Sequence, residues 1–439
     1  MFNCNKARNE SIKVRQLQRT LYRKSKQEEE AKFYSLYDKL YRDDVLWQAW
    51  QQVKANKGVP GVDGKTIEEA TDEIERGEML ETIKELLRNQ SYIFSPLRRV
   101  EIPKGKLNTR SLGIAIIADR IVQTAMKIVL EPIYEATFHE SSYGYRPKRH
   151  AKEASLAIRH DLYQNAWGVV EIDFKSYFSS IPHRNLMKLI KQKVTDGSML
   201  KLIKQTLKIG VEYKGVVTST KKGVPQGSPI SPLYSNIYLN VLDQLWHRRE
   251  YPKKLGASMH RYADDIILIC RKSAISSLTA FNLIADVMEL TLNEEKTRIT
   301  KLTEGFDFIG FNFVKRKSPS TGKNFIYIFP TKRAEQRVRN SIKYITSRKA
   351  PIKPNEFIEL VKPIVMGWAN YYRHTNASER FRRLQRFVNI RFRRYLTHRS
   401  KGRGFGWKKY PNRKLYSMGM FYIGKVKREY STKLVQGLR

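Results

Sequence analysis

The chain has 439 residues, with 83 Lys and Arg against 42 Asp and Glu, a formal net charge of +41. Hydrophobic residues make up 41% of it and aromatics 11%, a globular composition with enough apolar material for two or three domains, which excludes a mainly disordered chain. So large a positive field repels itself and is best tolerated against a polyanion, so nucleic acid is the first partner to expect and an anionic membrane surface the second. There is no run of eighteen apolar residues, and Met1 to Arg15 is polar without a signal-peptide stretch. Cys4 and Cys270 are the only cysteines, too few for a disulfide framework or a cysteine zinc site within one chain. The expectation is a soluble, cytoplasmic protein in a reducing setting.

In chain order, the first 55 residues are expected to be helical, because Phe33, Leu36, Tyr37, Leu40 and Tyr41 form an i, i+3, i+4, i+7, i+8 stripe. The preceding Gln16 to Ala31 is polar and expected to be exposed. Gly58 to Gly64, with three glycines and a proline, reads as a loop. Short apolar runs at Val169–Asp173, Ile266–Cys270 and Phe306–Val314 read as strands, with a helical pattern over Leu278–Leu290. Together they predict an α+β fold, an antiparallel sheet with helices on one face. After Pro330 the pattern is helical only, with stripes at Ala334, Val338, Ile342 and Ile345, at Phe357, Leu360, Val361, Ile364 and Trp368, and at Phe381, Leu384 and Val388. A basic three-helix bundle is expected there. Residues 331–439 carry 29 Lys and Arg against 5 Asp and Glu, a net of +24, which leaves +17 for the rest.

The sharpest local signal is His260-Arg261-Tyr262-Ala263-Asp264-Asp265 followed by the apolar Ile266 to Ile269. Adjacent carboxylates on a tight turn raise each other's pKa unless cations hold them, and Mg²⁺ is the oxygen-liganded cation suited to phosphate chemistry. In a two-metal site the ions sit about 3.5 to 4 Å apart and stabilise the attacking and leaving oxygens of a phosphoryl displacement. A third carboxylate is expected at the end of another strand, and Asp173 ends the run Val169 to Ile172. Taken alone, an Asp-Asp pair reads first as an ordinary exposed turn, and the surrounding residues reverse that reading.

Tyr262-Ala263-Asp264-Asp265 resembles the Tyr-x-Asp-Asp box of reverse transcriptases, and further blocks follow that family's order. Asn56 to Gly64 resembles the upstream block of group II intron-encoded and non-LTR-type enzymes. Ile102-Pro103-Lys104 and Arg110 to Ile114 resemble the fingers strands, and Ser142 to Pro147 the block after them. Asp173 to Phe178, Gly223 to Pro232, Leu292 to Thr297 and Phe308 to Phe311 resemble the palm, and Gly367 to Arg373 the maturase or thumb domain. The likeness covers residues from about 15 to 439. It departs from the family at Ser111 and Ala115, where proline is usual, so the fingers loop is expected to differ in shape. It also departs at Lys148-Arg149-His150. Gly227-Ser228-Pro229-Ile230-Ser231-Pro232 argues against the diversity-generating subgroup.

The resemblance implies a right-hand polymerase with fingers and palm followed by an all-α basic thumb. Its divisions would be a helical extension at 1–55, fingers at 56–165, palm at 166–329, thumb at 330–400 and a basic extension at 401–439 that binds DNA or RNA. It implies an RNA-directed DNA polymerase with maturase activity that assists intron splicing and retrohoming. It implies two Mg²⁺ ions, with Mn²⁺ as a substitute. Asp173, Asp264 and Asp265 would be catalytic, the last in a supporting role, with Phe174 completing the metal set. Lys104 and Arg110 would neutralise the incoming triphosphate, with Gln226 and Gly227 under the nucleotide and Phe178 excluding a 2′-hydroxyl. Without the resemblance, Lys104 and Arg110 read as two surface cations. Tyr262, Lys296 and Arg146 would meet primer or template, and Arg373, Arg382, Arg383, Arg386, Arg393 and Arg394 would bind RNA from the thumb. Most aromatics among those arginines are expected to be bundle core. The partners implied are intron RNA, an RNA template, a DNA primer and dNTPs, with no membrane. The Cys-bearing H-N-H endonuclease of many relatives is expected to be missing, since no cysteine follows Cys270. A splicing factor without catalysis, and a host-adopted or defence-associated reverse transcriptase without an intron partner, remain open alternatives.

Overall fold

The computed structural model describes residues 4–104, 108–219, 221–318, 321–347, 353–400 and 404–426. Helices α1 (Cys4–Gln27), α2 (Asp43–Ala55), α3 (Ile67–Glu75) and α4 (Glu78–Arg88) lead into strands β1 (Leu97–Lys104) and β2 (Asn108–Ile114). Next come α5 (Ile117–Glu135), α6 (Ala151–Tyr163), β3 (Gly168–Ile172), α7 (Tyr177–Ser180), α8 (His183–Lys193), α9 (Gly197–Leu207), β4 (Val211–Tyr213) and β5 (Val216–Thr218). They are followed by α10 (Ser231–Arg248), α11 (Tyr251–Lys254), β6 (Ala257–Tyr262), β7 (Asp265–Cys270), α12 (Ala274–Val287) and β8 (Arg298–Lys301). Strands β9 (Phe306–Phe308), β10 (Phe311–Lys317) and β11 (Asn324–Pro330) precede α13 (Lys332–Ile345), α14 (Pro354–Tyr372), α15 (Ser378–Arg399) and α16 (Asn412–Ser417). The sheets run β2-β1-β4-β5, β6-β7-β3-β8 and β11-β10-β9, so the α+β class expected from the apolar runs is the fold observed. No described helix is long and apolar enough to cross a membrane.

The chain divides into two compact units, the first made of Met1–Arg149, Glu171–Leu268 and Ser273–Arg298, the second of His150–Val170, Ile269–Lys272 and Ile299–Arg439. The first is centred on α5, whose Ile121, Val122, Ala125, Val129 and Ile133 are fully buried, with α1 and α2 packed against it. Although α1 is rich in charge, it turns Val14, Leu21 and Ser25 inward. Gln18 donates to the Ile128 carbonyl at 3.1 Å and Ser25 to that of Ile133 at 2.7 Å. The expected exposure of Gln16 to Ala31 is therefore corrected on one face, because two short polar side chains find backbone acceptors on α5.

The Phe33 to Tyr41 stripe is not a helix either. Phe33 pairs with Val194 as an isolated bridge, and only Tyr37–Lys39 forms a single 3₁₀ turn. Phe33, Leu36 and Leu40 are buried as the stripe requires, but their backbone is satisfied from elsewhere. The Asp196 carboxylate accepts the Leu36 and Tyr37 amides, each at 2.8 Å, and caps α9 through the Met199 amide at 2.9 Å. Replacing Asp196 with Ala leaves buried amides without an acceptor. The variant is expected to lose on the order of 2 to 4 kcal/mol of stability, read as an earlier midpoint in denaturant unfolding.

At the start of α5, Asp119 is fully buried, accepting from the Tyr92 hydroxyl at 2.8 Å and the Ser95 amide at 2.9 Å. Burial pushes its carboxyl from 3.8 up to about 7, against the opposing pull of those two donors. A carboxyl raised on folding takes up a proton between about pH 4 and 7, so its contribution to stability is greatest at the acid end and falls as pH rises through that window. Unfolding midpoints measured from pH 4.5 to 7.5 are expected to show this slope in the wild type and to lose it in Asp119→Asn.

The second unit holds β9 to β11 and α13 to α15. Ile309 and Gly310 link β9 to β10 in left-handed conformations, φ 44° and 87°. The hydroxyls of Tyr371 and Tyr372 donate to these two carbonyls at 3.1 and 3.0 Å, while the Tyr371 ring stacks on Phe311 at 5.1 Å. Gly367 to Arg373 thus clamps the turn of Phe308 to Phe311.

Candidate active site

Each carboxylate lies at a strand end because the apolar strand must stop where charge begins. Asp173 follows β3, Asp265 opens β7, and Asp264 lies in the turn just before it. The Trp167 amide donates to the Cys270 carbonyl at 3.1 Å, which makes β3 and β7 antiparallel. Carried along the two strands, that register sets Asp173 opposite Asp264. Asp173 and Asp264 are half-buried and Asp265 is exposed.

Asp173 is fixed on both sides of its Cα. Its carbonyl accepts the Asn293 amide at 2.7 Å, and its Oδ2 accepts Lys296 Nζ at 2.8 Å and Asn293 Nδ2 at 3.3 Å. Phe174 bridges to Leu292, so Leu292 to Lys296 forms the wall beside Asp173. All three acids offer oxygen, the donor chemistry of Mg²⁺ rather than zinc. Among the described residues no three His, Cys, Asp or Glu side chains converge closely enough to enclose a metal ion. The Lys296 ammonium instead supplies the positive charge at Asp173, which fits a position built to hold a cation.

The turn that carries Asp264 and Asp265 is held from behind. Ala263 is left-handed, φ 58°, a conformation that a residue with a Cβ adopts only when its surroundings impose it. Arg261 imposes it. Its side chain is fully buried and bonds both oxygens of the equally buried Asp243, with Nε at 2.9 and 3.0 Å. Nη1 then reaches Asn236 Oδ1 at 2.9 Å and the Ala263 carbonyl at 3.0 Å. The backbone of Arg261 accepts from Tyr143 and donates to the Ser141 carbonyl, each at 2.9 Å. Asn236 also donates to the Gly144 carbonyl at 2.9 Å. A Cβ on Gly144 would fall 2.3 Å from the Ala263 nitrogen, so only glycine lets these segments touch. Arg261, Asn236, Asp243 and Gly144 received no role from the sequence. The available signal was Asn236 and Asp243, seven residues apart on an otherwise apolar face of α10.

Tyr145 follows Gly144 and is half-exposed. Its phenol is raised chiefly by burial and next by the Asp264 charge, while Arg110 pulls it down. Arg110 and Asp264 therefore both act on this one ring. Arg110 Nε donates to Gln226 Oε1 at 2.6 Å, and the Gly113 amide to the Gln226 carbonyl at 2.8 Å. Gly227 is left-handed, φ 106°, and a Cβ there would fall 2.6 Å from the Gly113 carbonyl. The Gly223–Gly227 loop so rests on β2 and closes a cavity of about 420 Å³, lined among others by Arg99, Arg110, Lys222 and Gln226. None of the three carboxylates lines it.

The other expected residues separate. Phe178 is 7% exposed and packs edge-on to Tyr177. Its carbonyl accepts the Val224 amide at 2.7 Å, which places it behind the loop. Tyr262 is half-buried. The side chain of Lys104 lies outside the described residues. Arg146 is corrected: it is buried, pairs with both oxygens of Glu135 and donates to the His139 and Ser142 carbonyls at 2.6 and 2.8 Å. It brackets the Ser141 to Gly144 segment and leaves no face for primer or template. Arg393 is corrected likewise, being 1% exposed with its bonds going to the Tyr410 carbonyl and Asn412. Arg382 and Arg383 are exposed and both pair with Glu379. Arg386 is exposed, and Arg373 and Arg394 are half-buried.

Residues 102–313 match the family described as Reverse transcriptase (RNA-dependent DNA polymerase), and residues 335–414 match Group II intron, maturase-specific domain. Protein YkfC of Escherichia coli is 32% identical over 329 residues, covering 66% of this chain and 85% of that protein. The group II intron-encoded protein LtrA of Lactococcus lactis is 35% identical over 213 residues, 48% of this chain and 35% of that protein. Maturase-like protein 1 of Euglena longa is 24% identical over 337 residues, 73% of this chain and 66% of that protein. The chain spans about a third of the lactococcal protein's length. The fold and these matches define the class as RNA-directed DNA polymerase, and the chain belongs to the group II intron-type reverse transcriptase and maturase family.

Arg261→Lys keeps the buried charge and loses the fork that reaches Asn236 and Ala263 together. Displacing the turn by even about 1 Å is expected to lower kcat for primer extension roughly 10²-fold. The KM for dNTP is expected to stay within about twofold, because Arg110 and Gln226 are untouched. Steady-state kinetics on an RNA template checks the split.

Proposed function

We propose that this protein extends a DNA primer on an RNA template by two-metal phosphoryl transfer, and that it also binds a structured intron RNA and assists its splicing and retrohoming. The observation that carries the polymerase half is the antiparallel placement of Asp173 against Asp264, with Arg110 acting on the same Tyr145 phenol as Asp264. Asp173 and Asp264 would hold Mg²⁺, with Asp265 in support and the Phe174 backbone beside them. Bound there, the metal ions would activate the primer 3′-hydroxyl and stabilise the leaving pyrophosphate.

The remaining roles belong to the chain. Arg110, held by Gln226, offers its guanidinium to the triphosphate as a fixed fork. Lys296, paired with Asp173 at 2.8 Å, would turn toward the primer end. Gly227 lets the loop lie close under the nucleotide, and the bulk of Phe178 behind it would meet a ribose 2′-hydroxyl. The splicing half rests on the maturase-specific match over residues 335–414 and on the basic surface of α15.

Primer extension with dNTPs and Mg²⁺ tests the first half. Asp264→Asn is expected to lose about 10²-fold or more in rate, and undiminished extension would reject the assignment. Splicing of the flanking intron, followed with the same variant, is expected to remain near wild type because the carboxylates lie outside the maturase-specific region. Equal loss of both would tie splicing to the carboxylates and overturn the division of labour.

A further inference from the structure

The β1–β2 ribbon carries Arg110, and its direction is decided at its base. β1 pairs with β4 at Leu97 and Arg98 alone. Beyond them, among the described residues, the two strands pair with each other and with no third strand. Arg110 stands about 13 Å along β2 from Ile114, the residue that faces Arg98 at the base. A tilt of about 5° at the base moves Arg110 by about 1 Å. The angle of the ribbon therefore decides whether Arg110 meets Gln226.

Two consecutive residues of α5 hold that base. Asp119 takes the chain on its way into β1, through the Tyr92 hydroxyl at 2.8 Å and the Ser95 amide at 2.9 Å. Arg120 takes the chain on its way out of β2, its Nε donating to the Ala115 carbonyl at 2.8 Å. The same guanidinium donates from Nη2 to the Val59 carbonyl, and so ties the Gly58 to Gly64 loop to the junction of β2 and α5. From β1, Arg98 Nη2 donates to the next carbonyl of that loop, Pro60, at 2.6 Å. Between these two bonds the loop lies directly on the junction, since a Cβ on Gly61 would fall 2.7 Å from both the nitrogen and the Cα of Ile116. Burial pulls the Arg120 guanidinium down from its usual range, and the charge of Asp63, on the same loop, opposes that pull. The loop is a wedge seated at the base of the ribbon, and two guanidiniums hold it by adjacent carbonyls. A rigid fork can bridge two segments in this way, whereas an ammonium on a flexible stem is a point charge.

We infer that Arg120 is a positioning residue for nucleotide binding: through Ala115 and the wedge of Val59 to Gly61 it sets the angle of the β1–β2 ribbon and hence the place of Arg110. The inference rests on the reading that Arg110 meets the incoming triphosphate, and deepens it by naming what aims that guanidinium. The block Asn56 to Gly64, to which the sequence gave no role of its own, becomes the seat of the ribbon. Arg261 and Arg120 then divide the work, one fixing the turn of Asp264 and the other the cation of β2.

The test is steady-state primer extension by the full chain on an RNA template with one dNTP varied, together with primer–template affinity by fluorescence anisotropy. Arg120→Ala is expected to raise the KM for dNTP about ten-fold with kcat within about twofold of wild type, the reverse of the split expected for Arg261→Lys. Primer–template affinity should stay within about twofold. Arg120→Lys should recover only part of the loss. Gly61→Ala, which pushes Ile116 instead of releasing Ala115, should give the same signature by the opposite lesion. Together with Arg120→Lys it decides the question if the alanine variant does not fold. Arg110→Ala combined with Arg120→Ala should show a KM no higher than Arg110→Ala alone, because the second residue acts through the first.

Fully additive effects in that double variant would overturn the inference. So would equal damage to kcat and KM, or full recovery by lysine. Weaker primer–template binding with an unchanged KM would overturn it as well, and would assign the wedge to the template. If Arg110→Ala raises KM while the Arg120 and Gly61 variants do not, this positioning role alone is refuted. If Arg110→Ala leaves KM unchanged, the triphosphate reading falls and takes the inference with it.

Discussion

The ion pair between Arg261 and Asp243 is the constraint on which the rest of the site depends. Both side chains are withdrawn from solvent, and removing two charges from water is repaid only when the geometry is good and every remaining proton has an acceptor. Here all three nitrogens of the fork are engaged, with Asp243 on one side and Asn236 and the Ala263 carbonyl on the other. A packed pair of apolar side chains could stabilise α10 against β6 as well, but it could not dictate the conformation of the peptide before Asp264. The pair is best understood as a specifier of one turn geometry, which is the best-attested use of buried charge.

Around that pair, backbone bonds carry the framework and side chains carry the contacts. Gln226 meets Gly113, Phe178 meets Val224 and Asp173 meets Asn293 through main-chain groups. Two exposed cations, Arg110 and Lys296, stand on this frame. At rest each is held by one partner, Gln226 or Asp173.

The sequence was most legible where side-chain pattern and backbone pairing coincide. The apolar runs at Val169–Asp173 and Ile266–Cys270 became β3 and β7, and Leu278–Leu290 became α12 with a shift of a few residues. It was least legible where a distant group satisfies the backbone. The Phe33 to Tyr41 stripe has helical spacing and buries Phe33, Leu36 and Leu40, yet Asp196, some 160 residues away, takes its amides. Arginines were misread for a related reason. Arg146 and Arg393 look like surface cations in any local window, and only the folded chain brings Glu135, the His139 carbonyl, Asn412 and the Tyr410 carbonyl around them. The Asp264-Asp265 pair became informative through its neighbours, and Arg261, the neighbour that matters most for its geometry, sat unassigned within the same motif.

The contact between Gly144 and Ala263 sets a mechanical tolerance. Two chain segments more than a hundred residues apart meet so closely that a Cβ on Gly144 would fall 2.3 Å from the Ala263 nitrogen, and one of them carries the turn of Asp264 and Asp265. Any side chain at position 144 acts as a shim driven under that turn, so its size translates directly into displacement of Asp264. The site is thus calibrated by the smallest residue available, and this stretch of the protein has no slack with which to absorb change.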